Sequence, residues 1–285
     1  MVSLPYDIIA EIVDTLADTD NYRSLFDLSA TCKSILHLCR AHIFSVMTLV
    51  PRNWDGLSRT KSYRLRSFLI NRTLFRVKTV EDLVESCPSV LKYVRTLHLQ
   101  SHQSNYHDVA YLNLLSKFND LSSLSIASYE DIVGYRIDPY KPKQNWSSFP
   151  ESYRSSLMQL VQRSPVQKLF LNNIAEIPRS ILQPCGDLIH LSLYCATFSS
   201  DDSLKPPINP IQLKELFFRY DIEAASPLLD SHSSHGSSII DPGSLESLGI
   251  ELHDVNIESG SEREIVKNVS DLENLIISDP TDITK

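Results

Sequence analysis

Val166-Gln167-Lys168-Leu169-Phe170-Leu171 and Leu188-Ile189-His190-Leu191-Ser192-Leu193 share one pattern, with apolar residues at the first, fourth and sixth positions. Alternation over the last three is the period of a strand that keeps its leucines on one face. The pattern returns as Val94-x-x-Leu97-x-Leu99, Leu121-x-x-Leu124-x-Ile126, Leu213-x-x-Leu216-x-Phe218, Leu245-x-x-Leu248-x-Ile250 and Leu272-x-x-Leu275-x-Ile277. The central leucines of these seven copies lie 27, 45, 22, 25, 32 and 27 residues apart. One short strand cannot cover its own apolar face, whereas stacked neighbours share a continuous core. Parallel neighbours need crossovers. Helical patterns that could supply them run over Thr79 to Ser86, Val109 to Phe118, Tyr153 to Arg163 and Ile177 to Cys185, ahead of the first four strands.

Aligning the copies puts His98, Ser125, Phe170, Ser192, Phe217, Gly249 and Ile276 in one outward row. The next row holds Gln100, Ala127, Asn172, Tyr194, Arg219, Glu251 and Ser278. Phe170, Tyr194, Phe217 and Arg219 then gather across three neighbouring strands. Aromatic rings and arginine are favoured at interface hot spots, so these four are the candidate target-binding residues. The ordinary preference of strands for aromatics, or a covering loop, accounts for them as well. Loops from Ala127 to Pro150, Ser199 to Pro210 and Ser226 to Gly243 interrupt the stack, the last with Ser231-His232-Ser233-Ser234-His235-Gly236.

The N-terminal stretch has a different period. Pro5 suits a first helical turn, and Ile8, Ile9, Ile12, Val13 and Leu16 recur at helical spacing as one broad apolar face. Asp18 to Asn21 breaks that pattern. A second helix carries Tyr22, Leu25, Phe26 and Leu28, and a third turns Cys32, Ile35, Leu36 and Cys39 inward. Three helices in so few residues are marginal as a free-standing unit, so this module is expected to lean on the rest of the chain, on a partner, or on both.

Leu4-Pro5-x-Asp7-Ile8-Ile9-x-x-Ile12, the Leu25 to Ser29 block, Cys32-Lys33-x-Ile35 and the closing Ile43-Phe44 resemble an F-box. That resemblance implies docking onto a Skp-type adaptor and, through it, a cullin ubiquitin ligase. Carried over by position, it assigns adaptor contacts to Leu4, Pro5, Ile8, Ile9 and Ile12. The loop from Ala17 to Asn21 departs from the pattern in length and carries no apolar residue after Ala17. Alternatively, Leu4 and Pro5 merely start a helix that packs on the chain's own second domain. The seven copies resemble leucine-rich repeats of about 20–29 residues with insertions. Their ninth positions are His102, Tyr129, Ile174, Ala196, Asp221, His253 and Pro280, so no asparagine ladder forms. With the Cys87-Pro88 junction and Trp146-Ser147-Ser148-Phe149-Pro150, the whole is similar to fungal, basidiomycete-type F-box proteins.

Composition narrows the function classes. The 285 residues carry 27 basic and 35 acidic side chains, a net charge of −8. Residues 201–285 hold 17 acids against 6 bases, whereas Arg52 to Lys78 holds eight bases and one acid, Asp55. An acidic chain with one basic stretch is a poor nucleic-acid binder, and that stretch reads as a solvated connector. No apolar run reaches the ~20 residues of a membrane helix. Pro5, Asp7 and Glu11 stand where a secretory signal would be apolar. A cytoplasmic or nuclear location is expected, with Cys32, Cys39, Cys87, Cys185 and Cys195 as reduced thiols.

Seven glycines leave no phosphate-cradling loop, and no zinc-protease or serine-elbow motif occurs. His98, His102 and His107 find no further ligand at metal-binding spacing. The expectation is therefore a non-enzyme without cofactor or metal. It is an α+β chain: a three-helix F-box-like module at 1–45, a basic linker and entry helix at 46–90, and an irregular leucine-rich-repeat-like solenoid at 91–285. Its partners are a Skp-type adaptor, a cullin and a protein target. The alternative is a repeat scaffold whose N-terminal helices only cap the solenoid.

Overall fold

In the computed structural model, residues 5–19, 22–31, 33–50, 73–101, 106–128, 144–199, 210–219, 228, 239–251 and 274–278 are described. Helix α1 (Tyr6–Asp18) starts directly after Pro5, whose carbonyl accepts from Ile9 N at 3.2 Å. Helices α2 (Tyr22–Thr31) and α3 (Lys33–Ile43) follow. The chain then leaves α3 through Phe44 and Ser45 alone and enters β1 (Val46–Val50). The Ser45 carbonyl accepts from both Arg95 N and Thr96 N at 2.9 Å, which locks this junction to the start of the next strand but one.

The segment expected to be a linker therefore contains sheet. β1 and β2 (Thr73–Arg76) both belong to it, ahead of the entry helix α4 (Val77–Ser86). Val46-Met47-Thr48-Leu49-Val50 is rich in strand-favouring residues, and Phe44-x-x-Met47-x-Leu49 keeps the apolar positions of the repeated pattern with phenylalanine and methionine in place of leucine or valine. The seven expected strands are all present: β3 (Thr96–Ser101), β4 (Ser123–Ser128), β6 (Lys168–Asn172), β8 (His190–Tyr194), β9 (Glu215–Arg219), β10 (Ser247–Glu251) and β11 (Asn274–Ser278). They form one sheet in the order β11-β10-β9-β8-β6-β4-β3-β1-β2, and every pairing is parallel. A two-residue pair, β5 (Gln144–Asn145) with β7 (Ile174–Ala175), lies outside it.

Both rows aligned from sequence coincide with the pairing register from β3 to β11. The leucine face is buried throughout its described part, from Leu97 and Leu99 to Leu248 and Ile250. It packs on Val77, Val80 and Val84 of α4, on Leu114 and Leu115 of α5 (Val109–Leu115), and on Leu157, Leu160 and Val161 of α6 (Glu151–Arg163). Asp108 caps α5, its carboxylate accepting from Ala110 N at 3.0 Å and Tyr111 N at 3.3 Å. The fourth expected helix is only a 3-10 turn, Arg179–Ile181. Pro178 and Pro184 bracket it, and neither can donate the backbone hydrogen bond an α-helix interior needs.

The N-terminal helices are not a separate body. Val13, Leu25, Cys39, Ile43 and Phe44 join Met47, Leu49, Val77 and the leucine face in one continuous core. The strand ends are managed individually. Asn173 follows β6 with φ 58°, and Cys195 follows β8 with φ 49°. Asparagine tolerates this left-handed region. The Asn173 amide also donates to the Ser128 carbonyl at 3.2 Å, so the turn-satisfying residue stands one place before the expected ninth position, Ile174. At the same end of the strands, Gln144 Oε1 accepts from Ser128 Oγ at 2.9 Å and from Tyr106 Oη at 3.1 Å. Most of the three expected loops, Ser231 to Gly236 included, lies outside the described residues.

Candidate functional site

Two surfaces answer to the sequence expectations. The first is α1. The five-residue apolar face divides in the fold: Val13 is fully buried, Ile9 and Leu16 are half-buried, and Ile8 and Ile12 remain 41% and 43% exposed. Pro5 is exposed as well, and Leu4 lies outside the described residues. Two contacts from α3 hold the helix in place. The Tyr6 ring stacks on His37 with centroids 6.1 Å apart, its hydroxyl 2.8 Å from His37 Nε2. His42 Nε2 lies 2.8 Å from the Asp14 carboxylate. Tyr6 and, on α2, Phe26 are also left exposed. Isoleucines tied down by a buried neighbour, yet turned to solvent, can enter an apolar groove with little further ordering cost.

The second surface is the open face of the sheet. Phe170, Ser192 and Phe217 occupy one row on β6, β8 and β9, and Tyr194 stands beside Arg219 in the next. Phe170, Tyr194 and Phe217 are half-buried, and the Arg219 side chain lies outside the described residues. The register thus brings all four expected residues onto three adjacent strands. Toward β1, β3 and β4 the same face is closed, with Thr48, Gln100, Ser125 and Ala127 buried.

Three residues that the sequence reading did not single out fix the two phenylalanines. The His190 ring lies 4.9 Å from that of Phe170, and His190 Nδ1 meets Glu215 Oε2 at 2.7 Å. On the other side, a Cβ at Gly249 would stand 2.3 Å from Phe217 Cδ2, so that ring rests directly on the Gly249 backbone. Phe170 therefore leans onto β8, the strand that also carries Ser192, and Phe217 leans the other way, onto β10. The only sequence signal for this seat was one glycine in a row of larger residues.

Gly249→Ala is expected to push Phe217 off its seat and cost about 1–3 kcal/mol. In a Phe217→Ala background the same change should be neutral or slightly stabilising, since glycine is otherwise unfavourable in a strand. Chemical denaturation of the four variants measures the coupling, and additive effects would contradict the seat.

Burial pushes the Cys185 thiol up to about 12 and raises that of Cys39. The half-buried Cys87 is lowered, first by the Ser89 hydroxyl 3.4 Å away and then by Arg40. Among the described residues, no three histidine, cysteine or acidic side chains could hold a metal ion, and no helix is long and apolar enough to cross a membrane. His98 is half-buried in β3, His107 is exposed, and His102 lies outside the described residues. No family model, curated protein or solved structure matches the chain.

Proposed function

We propose that this chain is a non-catalytic substrate receptor of the F-box type. Its α1 docks a Skp-type adaptor and so a cullin ubiquitin ligase, and its sheet presents a protein target. The observation that carries this reading is the division of α1, with Val13 locked in the core and Ile8 and Ile12 left on the outside. A helix that served only to cap the sheet would gain more by turning those isoleucines inward, since burying each is worth roughly 1.5–3 kcal/mol. In this reading the parallel strands with their regular leucine register are an irregular leucine-rich-repeat-like solenoid. Phe170, Tyr194, Phe217 and Arg219 form its target surface. The receptor contributes proximity to ubiquitin transfer and supplies no reacting group.

A second reading is favoured by the Phe44-Ser45 junction and the continuous core: a repeat scaffold whose N-terminal helices are only a cap. Recovery of a Skp-type adaptor on the full-length chain separates the two. Leu4→Ala/Pro5→Ala is expected to lower recovery at least tenfold while leaving the melting transition in place, because the pair precedes α1 and Pro5 is exposed. Equal recovery by the variant and the parent would sink the docking claim.

A further inference from the structure

The two faces of the sheet are not covered alike. α4, α5 and α6 pack on the leucine face, and Val13, Leu25 and Cys39 of the N-terminal helices join the same core. The described helices thus account for the leucine face only. Yet the outward face is sealed at one end. Thr48 on β1 is 0% exposed, and Val50 on β1, Gln100 on β3, and Ser125 and Ala127 on β4 are buried as well. Farther along the same face, Phe170, Ser192 and Phe217 on β6, β8 and β9 are only half-buried. The Thr48 hydroxyl is buried without a hydrogen-bond partner. Water is therefore kept from it by atoms that do not bond to it, as apolar side chains would.

Chain topology selects the segment that can do this. The crossovers β2→β3, β3→β4 and β4→β6 all step toward β11, and α4, α5 and α6 carry them across the leucine face. β1→β2 steps the opposite way. Crossovers between parallel strands keep one hand, right-handed in about 98% of cases. A step in the opposite direction with the same hand passes over the opposite face. The 22 residues from 51 to 72 lie outside the described residues and are long enough for such a crossover. Their sequence suits it. Trp54, Leu57, Leu65, Phe68 and Leu69 supply apolar surface, the last three at helical spacing, and six bases against one acid supply a solvent side.

We propose that residues 51–72 dock on the outward face of the sheet over β1, β3 and β4. The basic stretch is then a crossover with an apolar underside and not a solvated connector. It occupies the half of the face that Thr48, Gln100 and Ser125 line, and it confines any partner of the sheet to the half from β6 onward. The inference needs neither an adaptor nor a target, so it stands apart from the receptor reading.

Thiol labelling of the full chain, resolved by peptide mass spectrometry, tests the placement. Ser125→Cys should react at least about tenfold more slowly than Ser192→Cys, because only the first is under the docked segment. Leu65→Ser/Phe68→Ser/Leu69→Ser should remove that difference while the native Cys185, buried in the core, stays protected. If Cys185 opens too, the variant has unfolded and a second measurement decides. A photo-reactive benzoylphenylalanine at position 68 of the otherwise native chain should cross-link within the chain to residues 46–50, 96–101 or 123–128. Cross-links to α4, α5 or α6, or none within the chain, overturn the proposal. Equal reactivity of the two thiols in the parent overturns it as well. So does a Ser125→Cys thiol that stays protected in the folded triple variant; if replacing residues 129–143 by a glycine-serine linker then exposes it, the face belongs to that loop instead.

Discussion

Between about pH 10 and pH 12 the protein is expected to unfold. The cause is a pair of tyrosines under the sheet. Tyr153 is fully buried, its hydroxyl is bonded to that of Ser101, and its ring packs among Tyr106, Tyr111 and Phe149 with centroids 5.0 to 6.1 Å away. Burial pushes its hydroxyl from the ordinary 10.0 up to about 12, and burial together with the neighbouring Tyr153 phenol raises Tyr111 as well. A phenol whose folded-state value exceeds its unfolded one binds its proton more tightly when folded. Its stabilisation is therefore complete below about pH 10 and is lost as the pH climbs through the raised value. Two pH units correspond to roughly 3 kcal/mol for Tyr153 alone, a large part of a typical domain's 5–15 kcal/mol.

The two tyrosines should respond oppositely to loss of the hydroxyl. Tyr153→Phe strands the buried Ser101 hydroxyl and should cost about 1–3 kcal/mol at neutral pH. The buried Tyr111 hydroxyl has the Tyr153 hydroxyl as its polar neighbour but makes no hydrogen bond of good geometry, so Tyr111→Phe should stabilise by about 1 kcal/mol and move the alkaline transition upward. Far-ultraviolet circular dichroism against pH, with tyrosinate absorbance followed in parallel, measures both. Ionisation of all twelve tyrosines near pH 10 with the far-ultraviolet signal intact would refute the account.

Removing residues 1–45 should have a still larger effect. The deletion strips Val13, Leu25, Cys39, Ile43 and Phe44 from the common core and bares Met47 and Leu49. Losing one buried aliphatic side chain costs about 2–5 kcal/mol, so the sum exceeds the stability of a typical domain. The truncated chain is expected to show no cooperative melting transition. Ile8→Ala/Ile12→Ala, whose side chains are exposed, should melt within about 0.5 kcal/mol of the parent. A truncated chain that still melts cooperatively would show that the sheet holds its own core. Loss of partner binding in such a truncation cannot be assigned to a docking contact, which makes the exposed isoleucines the informative positions.

The sheet was legible because leucine alternation is a period-two signal whose register survives insertions. Seven strands and both outward rows can be aligned from the leucine spacing alone. β1 escaped because Phe44-x-x-Met47-x-Leu49 keeps the apolar positions of the pattern but has phenylalanine and methionine where the seven copies have valine or leucine. β2 pairs on the far side of β1, so chain order gives no hint of its place. On α1 the sequence grouped five apolar residues into one face, and helical spacing alone does not say which part of so wide a stripe the core will cover. The aromatic row was readable from register. The seats that fix it were not, because the Gly249–Phe217 contact and the His190–Glu215 bond depend on how side chains lean between neighbouring strands.

The passage from α3 to β1 takes two residues, and one of them is bonded twice to the adjoining strand. Such a joint has almost no torsional freedom to give. On the proposed receptor reading, this short joint would hold an adaptor on α1 and a target on the sheet at a set spacing, and selection among the target's lysines would be made by position.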